Sequence, residues 1–337
     1  MSKRRIVAAF ITGVLAATLC TMIELPYYVT MPGMAQNLSP LVKVENGDKD
    51  EGTFMLTTVR MGKANIITYG FAKVRKYYEL HPTEAVRHTG ETDEEYTLRQ
   101  LHMMEGSKQA AIAVAYKKAG KRYYFKNEGV YVLNVVSNMP ASKYLQAGDR
   151  ITAVDGRKIE SADQLIDYIN RKKKGDEITV TFQRKKETKS ATLKLQPLPD
   201  NTNRIGIGIS LTTDRKIFTE PAVKIDSEEI GGPSAGLMFS LEIYNQLVEE
   251  DITKGYKIAG TGTVNETGEV GPIGGISQKI IAADQAGADI FFAPNEKGAK
   301  NSNYRDALKT AKDIGTKMRI VPIDTFDDAL SYLKSLD

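Results

Sequence analysis

Two side chains in this sequence have a setting for covalent chemistry, and they lie 45 residues apart. One is Ser234 in Gly231-Gly232-Pro233-Ser234-Ala235-Gly236, and the other is Lys279 in Gly274-Gly275-Ile276-Ser277-Gln278-Lys279. A serine hydroxyl becomes a nucleophile only when a neighbouring group accepts its proton. The glycine turn around Ser234 fits the Gly-x-Ser-x-Gly elbow of α/β-hydrolases, but that chemistry needs a histidine later in the chain. His81, His88 and His102 all lie upstream, so the elbow reading fails. A histidine-aspartate-serine order stays open on paper, with His88-Thr89-Gly90 as its base, in a stretch that reads as a polar loop.

Lysine is the known substitute for histidine as the base for serine. A free lysine has a pKa of about 10.4, and burial favours its neutral amine. Bringing it to ~7 takes about 4–5 kcal/mol of destabilisation of the ammonium. The surroundings of Lys279 suit that: Val270, Ile273, Ile276, Ile280 and Ile281, with Ala282 and Ala283 following, and no other Lys or Arg between Lys257 and Lys297. The competing reading is a lysine that reaches out to water from a helix start.

The elements that hold these residues follow from periodicity. Leu237, Met238, Leu241, Tyr244, Leu247 and Val248 make an apolar helical stripe beginning after Pro233. Proline suits a first helical position, so Ser234 is expected in the first turn. There, unpartnered N–H groups and the positive helix end favour a developing oxyanion. Lys257-Ile258-Ala259-Gly260-Thr261 reads as a strand leading toward Lys279, whose helix ends at Gly287. Further strands and helices alternate to the C-terminus, which indicates a layered α/β or α+β unit.

Gly232-Pro233-Ser234-Ala235-Gly236, Ala259-Gly260-Thr261-Gly262 and the run from Gly268 to Lys279 resemble the proteolytic domain of the Lon family. The resemblance implies a Ser-Lys dyad of Ser234 and Lys279, with Thr261 orienting it. The sequence departs from the family in carrying Gly231 where an aspartate is usual. It contains no Gly-x4-Gly-Lys-Ser/Thr phosphate loop, so cleavage without ATP-driven unfolding is expected, on short or flexible peptides.

Composition narrows the remaining classes. The chain has 337 residues, of which 41% are hydrophobic and 26% charged, room for two or more globular units. A net charge of +4 makes no case for nucleic acid. The single Cys20 excludes an intramolecular disulfide, and three scattered histidines speak against a metal site. No cofactor and no nucleotide is expected.

Ile6 to Ile23 is an uncharged, mostly apolar run, ~27 Å long as a helix and near the short end for a bilayer span. Lys3, Arg4 and Arg5 precede it, and no further Lys or Arg occurs before Lys43. This asymmetry places the N-terminus in the cytoplasm and the catalytic part outside, with Tyr27 and Tyr28 at the interface. A cleaved signal peptide is the rival.

The stretch 127–198 has its own strand, helix and hairpin pattern, and Val130 to Ile159 resembles bacterial PDZ domains, above all in Leu145 and Ala147-Gly148-Asp149-Arg150-Ile151. PDZ domains accept a peptide as an added strand. Gly129, Val130, Tyr131 and Val132 are expected as the strand that carries it, unless the domain only packs against the protease. Asp93 to Ala119 reads as a helix.

The expected organisation is therefore α+β: a cytoplasmic 1–5, a transmembrane anchor 6–25, a linker 26–51, an accessory segment 52–126 packing with the protease, a PDZ domain 127–198 and a Lon-like Ser-Lys domain 199–337. This arrangement resembles the membrane-anchored PDZ–Lon proteases of Gram-positive bacteria, the SepM-type pheromone-processing enzymes among them. The resemblance implies an extracytoplasmic serine endopeptidase acting on peptides, with oligomerisation left open. A non-catalytic surface adaptor that captures peptide C-termini is the alternative. A signal-peptidase-like enzyme would share anchor and dyad, but its serine is expected close after the membrane segment.

Overall fold

The computed structural model describes residues 3–47, 51–88, 90–199, 203–227 and 230–336. Residues 48–50 of the expected linker and Thr89 of the polar loop lie outside them. In chain order the elements are helix α1 (Lys3–Met22), strands β1 (Glu24–Asn37) and β2 (Thr53–Asn65), helix α2 (Ile66–Val74), strand β3 (Glu79–Pro82) and helix α3 (Asp93–Lys118). Strands β4 (Arg122–Val135) and β5 (Arg150–Val154), helix α4 (Ala162–Asn170), and strands β6 (Glu177–Arg184), β7 (Glu187–Lys194) and β8 (Ile209–Glu220) follow. The chain closes with α5 (Gly236–Leu247), β9 (Lys257–Gly260), α6 (Ile276–Gln285), β10 (Ile290–Pro294), α7 (Asn303–Ile314), β11 (Arg319–Ile323) and α8 (Phe326–Lys334).

These elements form two units, and the first is discontinuous in sequence: residues 1–42, 48–89 and 234–337. Its sheet has the order β11-β10-β9-β2-β1-β3. The three strands from the C-terminal third are mutually parallel, and β9 also runs parallel to β2. Every residue of β10 is buried, as expected of a central strand covered on both faces. Ile276, Ile280 and Ala283 of α6 recur at helical spacing and pack on Met55, Ala259 and Phe291 of the sheet. The expected linker is therefore corrected. Glu24–Asn37 is a 14-residue strand paired with β2 on one side and β3 on the other. Proline and glycine in a strand do not prevent pairing where the register shifts, as it does between Pro32 and Ala35.

The second unit comprises residues 43–47 and 90–233, with sheet order β8-β4-β5-β6-β7. Alternating Ile178, Val180 and Phe182 of β6 meet Leu165 and Ile169 of α4 in its core. Asp149 is fully buried and held by both nitrogens of a guanidinium fork, Arg184 Nε to Oδ1 and Nη2 to Oδ2, each at 2.8 Å. Helix α3 starts at Thr92 with a reciprocal cap, its side chain accepting from Glu95 N while Glu95 accepts from Thr92 N. The expected helix from Asp93 is present and lies in this unit.

Helix α1 is the one described helix long and apolar enough to cross a membrane, a property a signal sequence shares.

Candidate active site

Residues that sequence spacing separates by 222 positions meet at one amine in the first unit. Lys279 sits one turn into α6 and is 2% exposed. Its Nζ lies 2.8 Å from Ser234 Oγ, 2.8 Å from Thr57 O and 3.0 Å from Thr261 Oγ1. Burial brings its pKa from 10.5 down to about 7.

The donors and acceptors around the amine fit its neutral form. Thr57 O is a carbonyl and can only accept. Thr261 Oγ1 donates its own hydrogen to Ser234 O at 2.9 Å, so it too accepts from Lys279. A neutral amine has two N–H bonds for these two acceptors and one lone pair, which faces Ser234 Oγ. The Ser234 hydroxyl is then the donor and Lys279 Nζ its acceptor. With an ammonium instead, all three N–H bonds are used and the serine keeps its proton.

The backbone around Ser234 is clamped. Ser234 O accepts from Gly262 N at 2.8 Å as well as from Thr261, and Leu237 N donates back to Gly262 O at 3.1 Å. Thr261 itself is fully buried, with its N–H on Phe292 O at 3.1 Å. One expectation is corrected here. Helix α5 begins at Gly236, so Ser234 lies in a turn two residues ahead of it and Pro233 is not at the first helical position. The Leu237 N–H, which a helix-start oxyanion hole would use, is taken by Gly262 O.

Helix α6 is started by Gly275 at φ 71° and ψ 36°. A Cβ there would stand 2.7 Å from Val59 Cγ1. Glycine thus serves twice, for the left-handed backbone and for the close approach of β2. Residue-type reasoning singled out Ser234 and Lys279, the family resemblance added Thr261, and the structure brings all three together. It missed Thr57, whose contribution is a backbone carbonyl that any residue type would offer. His81 faces Glu79 at 3.7 Å, and His102 stacks on Tyr131 with its pKa lowered by burial.

Gly129, Val130, Tyr131 and Val132 are corrected as a peptide-carrying strand. They lie within β4, which pairs along one side with β8 (Val130 with Thr213, Tyr131 with Thr212) and on the other with β5 (Val130 with Ile151). Both edges are occupied, so no further strand can be added there. Gly129 instead permits close packing, since a Cβ would meet Ile151 O at 2.5 Å. The strand at the end of this sheet is β8, which pairs with β4 alone among the described residues. The start of α4 lies beside it, with Ala162 N donating to Thr213 Oγ1 at 3.0 Å.

Comparison with known proteins matches both units. Residues 101–195 match the family model of the PDZ domain, and residues 209–335 match that of the Lon protease (S16) C-terminal proteolytic domain. One stretch of the chain is thus similar to PDZ domains and another to the proteolytic domain of Lon proteases. Lon protease of the Aster yellows witches'-broom phytoplasma is 29% identical over 148 residues, which are 43% of this chain and 17% of that protein. Lon protease of Campylobacter concisus is 36% identical over 100 residues, 29% of this chain and 11% of the relative. The chain thus matches under a fifth of the length of these curated relatives. Among solved structures, a PDZ domain of an SdrC-like protein from Listeria monocytogenes is 39% identical, covering 25% of this chain and 87% of that one at a TM-score of 0.23. The PDZ match begins within α3, upstream of the expected boundary at 127.

Proposed function

We propose that this chain is a serine endopeptidase working through a Ser234–Lys279 dyad, held at the outer face of the cell membrane by α1, and that it cuts short or flexible peptides without ATP-driven unfolding. The observation that carries the reading is the buried amine of Lys279, 2.8 Å from Ser234 Oγ, with its two N–H bonds directed at Thr57 O and Thr261 Oγ1.

The chemistry follows from that geometry. Lys279 Nζ takes the Ser234 proton as Oγ bonds to the peptide carbonyl carbon, and the carbonyl oxygen becomes an oxyanion facing the N–H groups of the Ser234 turn. Lys279, now an ammonium, gives its proton to the leaving amine as the C–N bond breaks, which leaves an acyl-enzyme and a neutral lysine. Water then loses a proton to Lys279 and attacks the ester. The acid departs, and Ser234 regains its hydrogen from the lysine. Thr261 orients the amine and pins the Ser234 carbonyl. Secreted signalling peptides are substrates of suitable size, and the open edge of β8 beside α4 is where a peptide strand would be recruited.

The purified full chain, incubated with a library of flexible peptides and read by mass spectrometry, should yield products that Ser234→Ala and Lys279→Ala both abolish while retaining native circular dichroism. Persistent cleavage by either variant rejects the dyad. The same open edge of β8 also favours a non-catalytic adaptor, which predicts peptide binding but no adduct with a serine-reactive probe.

A further inference from the structure

Helix α2 is built the wrong way round for a helix on a water-facing surface. None of its nine residues is buried. At ~100° per residue, Ile66, Ile67, Gly70, Phe71 and Val74 share one arc, and Thr68, Tyr69 and Ala72 fall opposite. Most of the apolar arc is outward: Ile66, Phe71 and Val74 are 42%, 50% and 80% exposed, whereas Ile67 at its middle is half-buried, as are Thr68, Tyr69 and Ala72. A surface helix normally turns its apolar arc inward. An exposed apolar patch of this kind marks a surface that something covers.

What covers it follows from where the helix begins. Asn65, its N-cap, donates from Nδ2 to Thr21 O at 3.4 Å, in the last turn of α1. Asn65 is also the register partner of Glu24, the first residue of β1. The ring of Tyr69 lies 5.4 Å from that of Tyr27. The N-terminus of α2 is thus tied to the end of the one described helix apolar enough to cross a bilayer. Its C-terminal turn carries Lys73, with Arg75 directly after, both exposed. Exposed cations flanking an apolar arc suit lipid phosphates on either side of an inserted face.

We propose that α2 lies in the headgroup–acyl boundary of the leaflet from which α1 emerges, with Ile66, Phe71 and Val74 inserted. The proposal rests on reading α1 as a membrane span. Two contacts with one bilayer, a spanning helix and a helix lying in the surface, would fix both the height and the tilt of the unit that holds Ser234 and Lys279. The peptide entering that site would then be drawn from the layer next to the membrane.

The chain contains no tryptophan, so single reporters are clean. The full chain carrying Phe71→Trp, and separately Val74→Trp or Phe10→Trp in α1, is reconstituted in phosphatidylethanolamine–phosphatidylglycerol vesicles that include lipids brominated either near the headgroup or at the chain end. A face buried about 5–10 Å deep is quenched most by the shallow bromines, with roughly a twofold loss of emission. The expected result is shallow quenching at positions 71 and 74 and bromine quenching at position 10. Quenching at 10 but not at 71 or 74 overturns the surface helix and leaves the anchor standing. Absence of quenching at all three removes both. Positions 71 and 74 shielded from acrylamide yet untouched by bromines would mean that a second copy of the chain covers the face, which also overturns the proposal.

Discussion

The Lys279 amine donates to the carbonyl of Thr57 across 2.8 Å, although the two residues are 222 positions apart in sequence. This bond places the lysine between β2 and the Ser234 turn and uses one of its hydrogens on a group that cannot donate. With Thr261 Oγ1 taking the other, the lone pair of the neutral amine faces Ser234. On the proposed dyad, the proton count of Lys279 decides whether the serine can be activated.

Activity should follow that count. With a pKa of about 7, peptide cleavage rises with pH as a single deprotonation completes, tenfold per pH unit well below 7 and level above it. A kcat/KM profile of the full chain on one flexible peptide checks this. An activity that is flat between pH 5 and 9 would remove Lys279 as the base. Lys279→Arg is expected to be inactive throughout, since a guanidinium stays charged across this range.

Thr261→Val keeps the shape of the side chain and removes its oxygen. Lys279 then loses an acceptor and Ser234 O loses a donor, each worth about 1–3 kcal/mol when buried. We expect kcat to fall about 10–100-fold with KM little changed, at ~1.36 kcal/mol per tenfold. Thr261→Ser restores the hydroxyl and should recover most of the loss. Equal damage by both substitutions would assign Thr261 to packing alone.

The buried lysine also opposes folding, in a defined pH window. Its folded pKa of about 7 lies below the 10.5 of the exposed side chain, so between these values the unfolded chain holds the extra proton. Stability therefore rises with pH across that window, and below about 7 the whole penalty is present. Lys279→Met removes it. Allowing for the hydrogen bonds that are lost, the variant should be about 2–4 kcal/mol more stable than the parent at pH 6, and the gap should narrow toward pH 10. Urea unfolding at several pH values measures this. A variant less stable than the parent at pH 6 contradicts the buried, discharged amine.

Much of this site was legible in the sequence because its side chains are chemically distinctive. A serine in a glycine turn and an isolated lysine in an apolar run name their own chemistry, and resemblance joined Thr261 to them. Thr57 left no mark, because backbone carbonyls look alike at every position. Strand neighbours were equally hidden. The alternation around Val130 marks a strand, yet nothing local says that Ile209–Glu220 returns to occupy its edge. The linker expectation failed for the same reason, since Glu24–Asn37 becomes a strand through partners in β2 and β3. The start of α5 lies three residues beyond the expected Pro233, because a proline that suits a first helical turn also suits the turn before it.

Gly275→Ala tests how tightly the lysine is positioned from its own helix start. The backbone there is left-handed at φ 71°, which costs a residue with a Cβ roughly 1–2 kcal/mol. The new Cβ would also stand 2.7 Å from Val59 Cγ1, so β2 or the first turn of α6 has to move. Lys279 N donates to Gly275 O at 3.1 Å, and any shift of the turn carries the amine with it. Thr57, two residues before Val59 on the same strand, supplies the carbonyl that accepts from that amine. Both the lysine and its acceptor are therefore displaced by one added carbon. We expect a loss of about 2–3 kcal/mol of stability together with a fall in kcat of at least tenfold. Gly274→Ala next door is the control, because nothing lies within 4 Å of its added Cβ. If the two substitutions cost the same activity, the close approach of Gly275 to Val59 plays no part in placing Lys279.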